Sequence, residues 1–202
     1  MTRPTNPLTT ARTPLREVGH IFLGITLRGA DASRHDPKGT HQLIRIGDLS
    51  PSGVIRPSEV NRIRLEPATA HKYSLTRGDI LLAARGSRLN AGLFDSDQPS
   101  VAGGQFLVVR PKQHVIIPSY LLWFLNLPST QKLLESRAGG TYMRSLSIST
   151  VAELGIPRPD LTQQQAVAQL QVLRIREHEL IYRTSELRET FLDQSLRCAL
   201  HL

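Results

Sequence analysis

The chain predicts an α+β fold: a mixed, β-rich globular domain with short helices, followed by one long C-terminal helix of coiled-coil type. Three observations predict it. Short alternating or apolar runs separated by Gly, Pro and Asp turn signals occupy residues 14–109. The period changes at Pro118, after which residues 119–125 and 129–138 read as compact helices. From Thr162 to Leu200 no Gly or Pro interrupts the chain, and Leu173, Leu180 and Leu187 recur every seven residues.

The elements follow in order. Val18, Ile21, Leu23, Ile25 and Leu27 place one or two strands in residues 14–29. Residues 30–40 form a polar loop with a turn at Pro37, and residues 41–46 a strand that ends at Gly47-Asp48. A turn at residues 50–53 precedes the short strand Val54-Ile55. Residues 61–65 alternate, which turns Arg62 and Arg64 outward. Gly78-Asp79 is a turn before a buried strand at 80–84; residues 85–90 are the next loop. A strand covers 100–109, with Gly103-Gly104 at its start or at a bulge. Gly139-Gly140 would stop the second short helix, and residues 141–149 form a polar loop. Pro157 and Pro159 hold off the long helix until Thr162 and Gln165, which have capping-box spacing. Leu170 and Phe191 flank the leucine seam, while Glu177 and Thr184 occupy seam positions with polar groups. Such a helix needs a partner surface, either another chain or its own domain. The boundaries expected are a disordered tail at 1–13, a domain at 14–156 and a helical region at 157–202.

Composition narrows the function. The chain has 202 residues, enough for one good core and an appendage. No apolar run approaches a membrane span, and residues 1–14 lack the apolar centre of a secretory signal. The single Cys198 forms no internal disulfide and no cysteine zinc site, as expected of a cytoplasmic protein. The formal charge is +8; from Asp160 onward five Arg oppose six acids, so residues 1–159 carry +9. Only four of the 25 basic residues are Lys (38, 72, 112 and 132); the rest are Arg, the side chain suited to bidentate phosphate and guanine contact. A basic domain on a near-neutral helix points to nucleic acid on one part and protein on the other.

Catalytic patterns are sparse. There is no Gly-rich phosphate loop followed by Lys-Ser/Thr and no His-x-x-x-His pair, so no cofactor or metal is expected. Asp36-Pro37-Lys38 has the Asp-x-Lys form with which nucleases hold a metal and polarise water, but lacks an upstream Pro-Asp partner. Asn126-Leu127-Pro128-Ser129 resembles an amino-methyltransferase signature only in part, without its second proline, its aromatic or a preceding Gly-rich cofactor loop, and reads as a junction between two helices. His35 and His41 read as surface groups.

Five segments fall in one sequential pattern: residues 44–49 (Ile-Arg-Ile-Gly-Asp-Leu), 78–81 (Gly-Asp-Ile-Leu), 104–106 (Gly-Gln-Phe), 118–121 (Pro-Ser-Tyr-Leu), and Leu161, Gln164, Val167 and Ala168. Together, from about Pro14 to Leu200, they resemble the DNA specificity (S) subunit of type I restriction–modification systems. The usual Glu-Gln after Pro-x-Leu-x is Gln163-Gln164 here. The resemblance implies a target recognition domain followed by a helical conserved region, in a half-size form that pairs with itself or another half through its helix. It also implies double-stranded DNA, a DNA adenine methyltransferase subunit and, through it, a restriction subunit as partners.

Three loops are the expected DNA contacts: Arg34, His35 and Lys38; Arg85, Ser87, Arg88 and Asn90; and Tyr142, Arg144 and Ser145. The second mixes guanine-type donors with an adenine-type amide. Leu170, Leu173, Leu180, Leu187 and Phe191 are the expected dimerisation residues. Two further readings stay open, a stand-alone nuclease built on Asp36 and Lys38, and a coiled-coil adaptor.

Overall fold

The structure is a computed structural model and describes residues 12–27, 36–57, 61–86, 88–140 and 145–200. In chain order, β1 (Arg12–Pro14), the single turn α1 (Leu15–Val18) and β2 (Gly19–Leu23) come first. Next are β3 (His41–Ile44), β4 (Arg62–Ile63), α2 (Pro67–Tyr73), β5 (Ile80–Ala83), β6 (Ala91–Leu93), β7 (Ser100–Ala102) and β8 (Phe106–Pro111). Then come α3 (Pro118–Leu125), α4 (Pro128–Arg137), α5 (Ile148–Ala152), β9 (Gly155–Pro157) and α6 (Leu161–Ala199). Helices α2, α3 and α4 each begin on a proline, whose missing N–H would be unpaired in the first turn anyway. The α+β class with a long final helix is what the structure shows.

A four-stranded sheet in the order β2-β8-β5-β6 carries the core, with every pair antiparallel. Strand β5 is buried on both faces. Ile80 and Leu82 face the helices together with Leu107, Val109, Leu121 and Leu125. Leu81 and Ala83 face the other way, into a second cluster with Ile44, Phe94, Phe106 and Val108. This division follows from the period of two along a strand. A smaller sheet, β4-β3-β7, lies beyond that second cluster, with β3 and β7 parallel. The single strand expected over 100–109 is therefore two, in different sheets. Gly103-Gly104 makes the crossing; opposite it, a Cβ on Gly24 would lie 2.2 Å from the Gly103 carbonyl oxygen.

Some local expectations change. Strand β1 pairs with β9, so Arg12 and Thr13, placed in the tail by the sequence, belong to a sheet of the domain. Arg16 on α1 pairs with Glu153 after α5 and the Leu15 amide donates to the Leu154 carbonyl, fastening the two ends of the domain together. Helix α4 ends at Ala138 in extended geometry; the stop does not come from Gly139-Gly140, because Gly139 pairs with Ser145. Helix α6 starts earlier than Thr162. Asp160 is its cap, its carboxylate accepting from the Gln163 amide at 2.8 Å. Asp160 has extended backbone (φ −60°, ψ 161°) and supplies the capping carboxylate, so Thr162 falls inside the first turn.

Gln164 welds the root of α6 to the domain. It is 1 % exposed; its carbonyl accepts from the Ile117 amide and its NH2 donates to the Pro159 carbonyl. Ala168 and Gln171 are buried on the same face, and Ile175 packs there too. Farther along, the Arg56 guanidinium lies 4.0 Å from the centre of the Tyr182 ring. The residues from Leu180 to Leu200 are all exposed.

Candidate nucleic-acid interface

The Gly78-Asp79 turn fixes the strand that feeds the central loop. Gly78 has φ +94°, a conformation that favours glycine. Asp79 is buried and accepts from the Thr76 amide and, through both carboxylate oxygens, from Arg110 at 2.8 and 2.7 Å. The guanidinium of Arg110 also donates to the Ser74 carbonyl and is held more basic than usual by the Asp79 hydrogen bond, against partial burial. The turn is thus pinned to β8, and β5 leaves it in a set register.

Beyond β5 the chain enters the Arg85–Asn90 loop, which is anchored on both sides. The Ala84 amide donates to the Gln105 carbonyl and the Ala83 amide to the Asn90 carbonyl. Leu89 is buried, and its carbonyl accepts from Gln131. Asn90 uses its amide nitrogen on the Ser50 carbonyl at 2.8 Å and is half-buried, so the group expected to read a base here serves as an anchor. Of the described residues of this loop, Arg85 and Arg88 are exposed, and neither has an ion-pair partner among the described residues. Gly86 between them has φ +118° and open space where a Cβ would be.

The third expected loop comes to the second. Ser145 exchanges two backbone hydrogen bonds with Gly139, forms a bridge with Arg85, and is followed by Leu146, whose amide donates to the Ala84 carbonyl. Arg85, Arg88 and Ser145 therefore share one edge of the domain. Lys38 lies elsewhere, before the start of the β3–β7 ladder, whereas Ala84 meets Gln105 past its end. Lys38 is exposed, and its amide donates to the Asp36 carboxylate in a tight turn. The same carboxylate faces Arg64, and Arg62 donates to the Gly39 carbonyl. Burial and the charge of Arg62 hold the His41 imidazole below its usual range. Among the described residues, no group of three or more His, Cys, Asp or Glu side chains is placed to hold a metal. Arg34, His35, Ser87, Tyr142 and Arg144 lie outside the described residues.

The seam residues lie on the far side of α6. Gln164 and Leu173 are nine residues apart, as are Gln171 and Leu180; nine residues is two and a half turns, so buried and seam residues point in opposite directions. Leu170, Leu173, Leu180, Leu187 and Phe191 are between 51 and 68 % exposed. The alternative that the helix folds its leucines onto its own domain does not hold, since the domain takes Gln164, Ala168 and Gln171 instead.

The sequence reading missed Asn126. Its side-chain amide both accepts from the Ala91 amide and donates to the Ala91 carbonyl, completing the outer edge of β6 as a further strand would. The partial methyltransferase signature is thus a junction between α3 and α4 with a structural asparagine. An Asn at a helix end, two residues before a proline, is the only local signal of it.

The model of the family described as Type I restriction modification DNA specificity domain matches residues 12–179 of this chain. The chain belongs to that family. Solved structures of similar fold include the S subunit of a type I restriction–modification system from M. genitalium, at 19 % identity and TM-score 0.63 over 93 % of this chain and 45 % of that one. The HsdS subunit from Thermoanaerobacter tengcongensis matches at 15 % identity and TM-score 0.62 over 91 % and 42 %. A chain from a study of assembly and conformational transition of the type I R-M system matches at 15 % identity and TM-score 0.65, over 96 % and 45 %. The present chain thus spans less than half the length of each of these. No curated protein matches it. No helix among the described residues is long and apolar enough to cross a membrane.

Proposed function

We propose that this chain supplies DNA sequence recognition to a type I restriction–modification system and catalyses nothing itself. Residues 14–156 act as the target recognition domain and residues 157–202 as the helical docking region. The observation that carries the reading is the joining of the Arg85–Asn90 loop to Ser145 on one edge of a basic domain, with Arg85 and Arg88 exposed and without an ion-pair partner among the described residues. Arg85 and Arg88, with Arg144, contact guanine O6 and N7; Tyr142, Ser87 and Ser145 complete that contact surface. Lys38, with Arg34 and His35, approaches the DNA from the other loop, Lys38 on a phosphate.

Two copies pair antiparallel through Leu170, Leu173, Leu180, Leu187 and Phe191, with Glu177 and Thr184 specifying register at some cost in stability. Identical readers related by a two-fold axis then present the same contacts to both half-sites, so the target is an inverted repeat with a non-contacted spacer. A DNA adenine methyltransferase subunit, and through it a restriction subunit, docks on this assembly and performs the chemistry. The nuclease reading built on Asp36 and Lys38 is not favoured, because the Asp36 carboxylate caps a turn beside Arg64.

Binding selection on randomised duplexes tests the reading. The unaltered protein should select one inverted repeat, and Arg88→Ala should relax preference at matching positions of both halves by about 1–3 kcal/mol. Addition of the cognate methyltransferase subunit should give adenine methylation at that site. Methyl transfer or cleavage by the purified chain alone defeats the proposal, and an asymmetric selected site defeats the identical halves.

A further inference from the structure

Five residues of α6 spaced by four and three, Arg174, His178, Ile181, Ser185 and Arg188, share one face of the helix. That face lies between the seam and the side buried through Gln164, Ala168 and Gln171. It carries two Arg and one His but no acid, although from Asp160 onward six acids oppose five Arg. Beside it the domain supplies the turn at residues 50–53, and a groove of about 540 Å³ runs between the two. Arg174, His178 and Ser185 form its helical wall, and Ser50, Ser52 and Arg56 the wall from the domain. No Asp or Glu is among the residues that line it. Both walls are held in place. The Ser50 carbonyl accepts from the Gly53 amide at 3.0 Å and from the Asn90 side chain at 2.8 Å, and the Ser50 hydroxyl accepts from the Val54 amide at 2.9 Å. Arg56 stacks on Tyr182, which orders the planar guanidinium and leaves its N–H groups free to donate. Asn90 closes the loop that carries Arg85 and Arg88, so one hydrogen bond separates that loop from the groove. The groove on the opposite flank of α6 is of another kind: Arg176 and Glu179 face Asp95 and Gln98 there, and Arg176 pairs with Glu179 at 3.4 Å.

We infer that this groove binds a backbone phosphate of duplex DNA, on the α6 side of the half-site that Arg85 and Arg88 contact. The inference rests on the DNA recognition proposed above and adds a contact made by the helical region, which that reading gives to protein docking alone. Arg174 from the helix and Arg56 from the domain bring forked N–H donors to the groove from two sides, and His178 adds a ring N–H. Such a set recognises charge and the spread of phosphate oxygens, not a base edge, so it contributes affinity and register without sequence preference. A carboxylate of a protein partner would meet the same donors. The phosphate is the occupant argued for because the groove and the reading loop share one turn, while the flank with Asp95 and Glu179 is turned away. In the paired assembly the contacted phosphate belongs to the spacer, whose bases stay untouched.

Binding of the full chain to a duplex carrying its selected site, followed against salt, tests the groove. Arg56→Gln with Arg174→Gln should lower the slope of log K against log salt by about 1, the share of one phosphate, and weaken selected and unselected duplexes by the same factor. Arg176→Gln removes the same charge from the other flank and should leave the slope unchanged. A single neutral methylphosphonate moved along each strand should weaken binding of the unaltered chain at a phosphate outside the selected bases. In Arg174→Gln, an exposed change, the same methylphosphonate should have no further effect. An unchanged slope in the double variant, or an equal fall in Arg176→Gln, overturns the groove and leaves recognition by Arg85 and Arg88 intact. Relaxed base preference in the double variant makes the groove a base contact and overturns the phosphate assignment. An unchanged slope with methylation lost once the methyltransferase subunit is added assigns these cations to an acidic protein partner, and overturns it too. No binding of DNA by the chain, alone or with that subunit, removes the recognition reading and the groove together.

Discussion

Replacement of Asp79 by alanine separates a buried ion pair from a surface one within the same chain. Asp79 is 1 % exposed and satisfies four donors: Arg110 Nε and Nη2, the Thr76 amide and the Thr76 hydroxyl. Removing one partner of a buried pair costs about 3–5 kcal/mol, because the other charge stays without compensation. The Arg110 side chain is 38 % exposed, so water offsets part of that loss, and about 2–3 kcal/mol is expected. With a urea slope of roughly 2 kcal/mol/M for a domain of this size, the midpoint should fall by about 1 M. The control is Asp97→Ala. Asp97 also pairs with an arginine, Arg77 at 2.8 Å, but both side chains are more than half exposed, and the midpoint should not move measurably. Urea melts followed by circular dichroism compare the two. An Asp79→Ala midpoint within error of the Asp97→Ala midpoint would refute the claim that burial, and not pairing, gives the Gly78-Asp79 turn its strength. Because that turn leads into β5 and then Arg85, the variant also measures how firmly the reading loop is held.

Three further outcomes are expected. Leu180→Asp with Leu187→Asp should yield monomers in analytical ultracentrifugation without moving the urea midpoint of the domain, since both side chains are exposed in the single chain; each Leu buried by pairing contributes about 2 kcal/mol. Lys38→Ala should weaken binding to all duplexes alike and reduce the slope of log K against log salt by about 1; an unchanged slope would remove Lys38 from the backbone contacts. The folded His41 has a lowered pKa, so the unfolded chain binds more protons. Its contribution is complete above the unfolded value of about 6.5 and is lost as pH falls below it; His41→Gln should flatten that part of a urea-midpoint profile against pH.

What the sequence alone determined is what depends on near neighbours in the chain. The run at 80–84 reads as a buried strand, residues 119–125 and 129–138 as short helices, and residues 162–200 as one uninterrupted helix. The leucine seam was legible for the same reason, because positions 173, 180 and 187 fall on one helix face whatever the rest of the chain does. The basic sign of the first 159 residues required no fold at all. Tertiary structure decided everything that depends on distant partners. Strands β1 and β9 each have three residues and no pattern of their own; they exist because they pair across more than 140 positions of chain. Thr162 and Gln165 have capping-box spacing, yet the carboxylate of Asp160, two residues earlier, is what accepts the Gln163 amide and caps α6. Asn90 and Asn126 carry the same amide as a base-reading residue, yet the Ser50 and Ala91 backbone groups sit within 3 Å of them and take it. That Ser145 meets Arg85, and that the seam points away from the domain because Gln164, Ala168 and Gln171 fill the opposite face, are likewise facts of packing: a periodic pattern marks two faces of a helix, and only the surfaces that close on it decide which one is left open.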